Sequence, residues 1–228
     1  MRIDILTLFP EQFSSVFNTS ILKIAQEKNK LQINLVNWRK FASDSHHTVD
    51  DRPYGGGSGM VLKVDVLGEA IKEIKMSDPK NTPKVILLTP GGEKFDQKEA
   101  LKLSTSDWLV IICGHYEGVD ERVSELLVDS ELSIGDFVLS GGEIPAMVVV
   151  DSIARLLPGV LGNEASTQDE SFSHASLEYP QYTRPDDYLG HKVPPILLSG
   201  NHSAIKKWRE QESLEKTKKR RPDLLSKK

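Results

Sequence analysis

KVILLTPGG, residues 84–92, decides the fold class. The run Val85–Leu88 is too short for a helix and too apolar for a strand with one wet face. It reads as a strand buried on both sides, stopped by Thr89-Pro90-Gly91-Gly92. Two further strands have the same plan: Trp108–Cys113 runs into Gly114, and Asp136–Leu139 runs into Ser140-Gly141-Gly142. Residues 2–8 and 31–36 add two more. Helical spacing lies between them: 11–30, with Phe13, Phe17, Ile21 and Ile24 on one side, then Val64 to about Lys75, Gln97–Leu103 and Glu121–Leu127. A last helix opens at Pro145, proline being tolerated in a first turn, and runs to Leu157. Apolar strands alternating with helices give an α/β class, a parallel sheet with helices on both faces.

The pattern breaks at Pro158-Gly159. Residues 162–187 are rich in Ser, Asp, Glu, Tyr and Pro, and a helical stretch, Ile205–Glu215, follows. The expected organisation is an α/β domain over 1–161, a linker or mobile lid over 162–180, and a small helical domain over 181–228. No apolar run reaches membrane-span length, and MRIDILTLFPEQF reads as a first strand instead of a signal peptide. The lone Cys113 forms no internal disulfide or cysteine-rich zinc site. It fits a reducing cytoplasm and packs in a core. The net charge of −4 is unevenly spread: 206–228 carries ten basic against four acidic residues (+6), and the remainder carries 19 against 29 (−10). That basic end fits either a polyanion contact or a solvated amphipathic helix.

Glycines dominate the loops. DDRPYGGGSGM, residues 50–60, has glycines at 55, 56, 57 and 59 beside two carboxylates and Arg52, and it reads as a binding loop. Ligands of open α/β sheets sit beyond the carboxyl ends of strands, where glycine lets backbone meet a flat ring. The phosphate-cradle patterns GxGxxG and GxxxxGK[ST] are both absent, and few Lys or Arg flank the turns. Glu117, Asp120, Glu121, Asp136 and Glu143 make the neighbourhood acidic, which suits a cationic nucleoside such as S-adenosylmethionine. Alternatively, Glu117–Glu121 only favours a helix start. Spacing leaves both readings open.

Six segments carry a resemblance: His47–Met60, Gly114–Arg122 (GHYEGVDER), Ser133–Met147 (SIGDFVLSGGEIPAM), Pro158–Ser166, Tyr179–Pro185 and Pro194–His202. Together, and in this order, they resemble the bacterial tRNA (guanine-N1)-methyltransferases of the SPOUT superfamily. The resemblance implies a deep trefoil knot in the α/β domain, a helical tRNA-binding domain, and a homodimer with active sites formed between subunits. It also implies S-adenosylmethionine as methyl donor, tRNA as substrate, and Mg²⁺. Carried over by position, Leu88, Thr89, Gly92, Gly114, Tyr116, Glu117, Ile134, Gly135, Asp136, Phe137, Val138, Leu139, Gly141, Gly142 and Pro145 would bind the donor. Glu117 would also steer the metal. Asp50, Arg52, Gly55, Gly59 and Ser166 would face the substrate. Arg155 would be the catalytic arginine and Glu170 the general base, with Asp169 as its neighbour and alternative. The chain departs from the family pattern at Ser58, His115, Phe137, Thr89–Gly92 and Glu170.

The implied chemistry needs these residue types. Guanine N1 bears a proton, so a base must take it, and negative charge then grows on O6, where an arginine stabilises it. A general base is worth roughly a hundred- to ten-thousand-fold. Alignment is worth about 7–11 kcal/mol, the larger share. Read without the resemblance, Asp151 and Arg155 are an i,i+4 surface pair worth a few tenths of a kcal/mol, and Asp169 and Glu170 are solvated linker carboxylates. Trp208 is either a stacking residue or part of a small core. The competing functions are a non-catalytic knotted RNA-binding module and a Rossmann-type methyltransferase of small molecules.

Overall fold

The computed structural model describes residues 1–161, 170–172 and 175–226. The chain divides into two compact units, Met1–Gly162 and Asn163–Lys228.

In the first unit the strands are Arg2–Thr7 (β1), Gln32–Asn37 (β2), Asp50–Asp51 (β3), Val61–Leu62 (β4), Lys84–Lys94 (β5), Trp108–Cys113 (β6) and Ser130–Ser133 (β7). Its helices are Ser14–Phe17 (α1), Ser20–Glu27 (α2), Val64–Met76 (α3), Gln97–Ser104 (α4), Glu121–Leu126 (α5) and Glu143–Ala154 (α6). Five strands form one sheet in the order β2-β1-β6-β5-β7, and every neighbouring pair is parallel. β3 and β4 form a separate antiparallel hairpin.

Side-chain alternation splits the sheet's apolar residues between two cores. Ile3, Ile5, Ile86, Leu88, Leu109 and Ile111 face one side, where Phe13, Phe17, Leu22, Leu103, Val149 and Ile153 cover them. Leu6, Val85, Leu87, Val110 and Ile112 face the other, covered by Trp38, Val66, Leu67, Ile71 and Val123. Each such buried side chain contributes about 1.5–3 kcal/mol. Polar groups set the ends of elements. Asp96 caps α4 by accepting from Lys98 N and Glu99 N, worth about 1 kcal/mol. The Asp129 carboxylate accepts from Val85 N at 2.7 Å and pins the start of β5.

Four sequence expectations are corrected. The helix expected over 11–30 is a 3₁₀ turn, Pro10–Phe13, followed by α1 and α2. Leu22 and Ala25 face the core while Ile24 is exposed, because the break at Asn18–Thr19 rotates the periodicity. The strand expected at Asp136–Leu139 is an exposed loop. Gly135 turns the chain at φ +152°, and the short, polar β7 holds the sheet edge by burying Leu132. Thr89–Gly92 does not end its strand. β5 continues to Lys94 across a bulge in which Leu88 and Glu93 both pair with Leu132. The helix expected from Pro145 begins two residues earlier, at Glu143, and ends at Ala154.

The second unit has a hairpin, Asp187–Tyr188 (β8) with His191–Lys192 (β9), a one-turn helix, Pro195–Leu198 (α7), and the long His202–Arg220 (α8). The expected helix Ile205–Glu215 is therefore extended at both ends. Trp208 is half-buried and lies 6.4 Å from the ring of Tyr182, and the Arg209 guanidinium lies 4.6 Å over the ring of Tyr179. This small core gives Trp208 a packing role within the unit.

Candidate active site

The middle of β5 (Leu87–Pro90, where its bulge begins), the loop 114–119 that leaves the end of β6, the loop 133–142 and the first turn of α6 enclose a cleft of about 280 Å³. Two glycines bring the walls together. Gly142 N donates to Gly114 O at 2.8 Å, and His115 and Gly141 form an antiparallel bridge. A Cβ on Gly142 would sit 2.6 Å from Cys113 Cα, so the segment after β7 reaches the end of β6 only through bare backbone.

The residues expected at the donor site gather here with two exceptions. Gly92 packs on the main chain of Leu132, where a Cβ would collide with Leu132 N, and this contact accounts for the glycine. Asp136 is exposed outside the lining. Of the cleft residues that the sequence reading missed, His115 matters most. Its ring lies 5.0 Å from Phe9 and 4.7 Å from Tyr116, and its buried Nδ1 has no hydrogen-bond partner among the described residues. Its place between Gly114 and Tyr116 was the available signal.

Charge in the cleft is sparser than the sequence implied. Among the described residues, Glu117 is the one acidic side chain in the lining, and no lysine or arginine lines it. Asp120 instead caps α5 and binds Arg122 through two side-chain contacts of 2.8 and 2.6 Å. The Arg122 hydrogen bond holds the Asp120 carboxyl below its usual range. Glu143 is buried in the first turn of α6 and accepts from the Thr7 hydroxyl at 2.7 Å. Burial, and then the charge of Glu143, push the Cys113 thiol well up.

The glycine-rich loop closes the β3–β4 hairpin and is stitched to the same cleft. Glu117 N donates to Met60 O at 3.1 Å, Leu62 N to Gly118 O at 3.0 Å, and Asp120 N to Leu62 O at 3.0 Å. A Cβ on Gly59 would collide with Glu117 Cγ, so this glycine gives the Glu117 side chain its room. Asp50 is half-buried in β3, and Arg52 and Gly55 are exposed on the loop.

Arg155 is not part of this chain's own cleft lining. It caps the C-terminus of α6, whereas the lining residue Pro145 sits in its first turn. Ten residues of helix separate them by about 15 Å along the axis. Glu170 belongs to the second unit. Asp169 and Ser166 lie outside the described residues. No group of three His, Cys, Asp or Glu that could hold a metal ion occurs among the described residues, and none of their helices is long and apolar enough to cross a membrane.

Fold and site thus define an α/β protein with a nucleoside-sized cleft beside the bulge of β5 and the carboxyl end of β6. The chain matches the model of the tRNA (guanine-1)-methyltransferase family over residues 1–227. It is 59% identical over 225 residues to the tRNA (guanine-N(1)-)-methyltransferase of Geobacillus kaustophilus, covering 99% of this chain and 91% of that protein. It is 56% identical to the protein of that name from Bacillus subtilis, covering 99% and 92%. The chain belongs to the tRNA (guanine-1)-methyltransferase family.

Proposed function

We propose that this protein is a tRNA (guanine-N1)-methyltransferase that moves a methyl group from S-adenosylmethionine to N1 of the guanosine immediately 3′ of the anticodon. The observation that carries this reading is a backbone-walled cleft in a chain of this family, lined, among the described residues, by Glu117 and by no lysine or arginine. Such a lining suits a nucleoside bearing positive charge and disfavours a phosphorylated one. The unpartnered Nδ1 of His115 offers the nucleoside a polar contact. When bound, S-adenosylmethionine supplies an electrophilic methyl carbon whose bonding pair returns to sulfur as N1 attacks.

The chain's own groups do the rest. The carboxylate of Glu170, or of its neighbour Asp169, takes the N1 proton and frees the lone pair that forms the new N–C bond. Arg155 meets the negative charge that builds on O6. The glycine-rich loop, fixed to the cleft through Glu117 and Met60, holds the substrate side. Because α6 carries Arg155 away from the cleft that its first turn lines, we assign Arg155 to the cleft of a partner subunit in a homodimer. The deep knot implied by the resemblance belongs, in this reading, to the segment that returns from β7 to the end of β6. Among the described residues Glu117 is the single carboxylate in the lining, so no step is assigned to Mg²⁺.

The test is alanine substitution at Arg155 and at Glu170. Each variant is expected to bind S-adenosylmethionine as the parent does. The loss of transfer rate should be roughly a hundred- to ten-thousand-fold for Glu170→Ala and about a hundred- to a thousandfold for Arg155→Ala. Full activity in both variants would refute these roles. Donor binding with no transfer by the parent protein would instead favour a non-catalytic RNA-binding module.

A further inference from the structure

The second unit contains a contact that the proposed reaction leaves unexplained. Thr217 is fully buried, on a helix that is otherwise half or fully exposed. Its hydroxyl accepts from Leu177 N at 2.9 Å and donates to Ser213 O at 2.7 Å. One helical turn earlier, the Ser213 hydroxyl donates to Leu177 O at 2.6 Å. Both main-chain groups of Leu177 are therefore held by two side chains of α8, where a sheet would hold them with backbone. Lys216 Nζ adds a bond to the next carbonyl, Glu178 O, at 2.9 Å. The held segment is tied back on itself, since Glu178 N donates to Ser171 Oγ at 3.0 Å and Phe172 N to Ser176 O at 2.7 Å. The Arg221 guanidinium, just past α8, lies 5.8 Å from the Phe172 ring. Three of these contacts, at Ser171 Oγ, Phe172 N and the Phe172 ring, fall on the residues directly after Glu170.

We propose that Thr217 is a positioning residue that fixes the carboxylate of Glu170 through the chain α8–Leu177–Glu178–Ser171. The inference rests on the reading of Glu170 as general base. Valine has threonine's shape without its hydroxyl, and packing alone would be served equally well by it. A hydroxyl that meets a buried peptide N–H serves to hold that peptide in one place. The last turn of α8 carries Lys218, Lys219 and Arg220, so the element suited to grip a polyanion is also the one that sets the base.

The test compares Thr217→Val, Thr217→Ser and Ser213→Ala in the full-length protein, alone and combined with Glu170→Gln. Single-turnover rates, KM for tRNA, S-adenosylmethionine binding and melting temperature are measured for each. Thr217→Val is expected to lower the rate about ten- to a hundredfold, with KM for tRNA and donor binding within about twofold of the parent. Ser213→Ala should act in the same direction, and Thr217→Ser should restore the rate. In the Glu170→Gln background, Thr217→Val should cost nothing further, because the base it positions is gone. An unchanged rate, an effect on KM alone, or a loss that multiplies that of Glu170→Gln would overturn the positioning role while leaving the base assignment intact. A full rate in Glu170→Gln would remove both. If Thr217→Val does not fold, the same outcomes are read from Ser213→Ala.

Discussion

Gly142 demonstrates how one missing side chain makes the cleft possible. An alanine there would place Cβ 2.6 Å from Cys113 Cα and 2.8 Å from Gly114 N, both main-chain atoms of a buried strand end. Neither can give way, so Gly142→Ala should cost about 1–3 kcal/mol in denaturant unfolding. Unchanged stability would mean that the two loops are not packed as described. Directly beneath lies Cys113, whose thiol pKa is raised in the fold. Its ordinary value is 9.0, so above that pH the unfolded chain releases a proton that the folded chain retains. The contribution is complete below pH 9.0 and is lost as pH rises. Cys113→Ala should flatten the fall in stability above that pH, and an identical slope in parent and variant would contradict the burial. The sequence made these glycines and the cysteine's burial legible, because both follow from residue type. It misplaced the acids, since the partner of a carboxylate depends on neighbours in space. Asp120 serves α5 and Arg122, and Glu143 serves Thr7.

At the scale of elements, β5 and β6 were readable because each buries alternating faces in two separate cores. β7 was not. With the sequence SELS it has no apolar run, and the more apolar Phe137–Leu139 beside it remains exposed. An edge strand needs only one buried apolar residue, here Leu132, so hydrophobicity alone selects the wrong segment. The linker is a similar case. Its composition reads as mobile, yet its main chain is bonded to α8 at Leu177 and Glu178. Hydrogen exchange should therefore find the Leu177 amide protected in the absence of tRNA, and more exposed in Thr217→Val. Free exchange at Leu177 in the parent protein would contradict the docking of this segment.

At the scale of the whole molecule, the two residues assigned to proton removal and charge stabilisation fall in different compact units. Composition changes at Pro158-Gly159, and the two compact units divide after Gly162. What no periodicity could supply is the return of the chain from β7 to the end of β6, where Gly142 meets Gly114, since such a contact depends on three-dimensional order and leaves no pattern in sequence. Nor could it reveal that the first turn of α6 lines the cleft while its other end carries Arg155. The proposed reaction modifies a single atom of the tRNA and leaves S-adenosylhomocysteine as the other product. Unmodified tRNA incubated with the purified protein and isotopically labelled S-adenosylmethionine can be digested to nucleosides and mapped by mass spectrometry. The label is expected on N1 of the guanosine immediately 3′ of the anticodon. Label on another atom or another nucleoside, or none at all under conditions where the donor binds, would contradict the account.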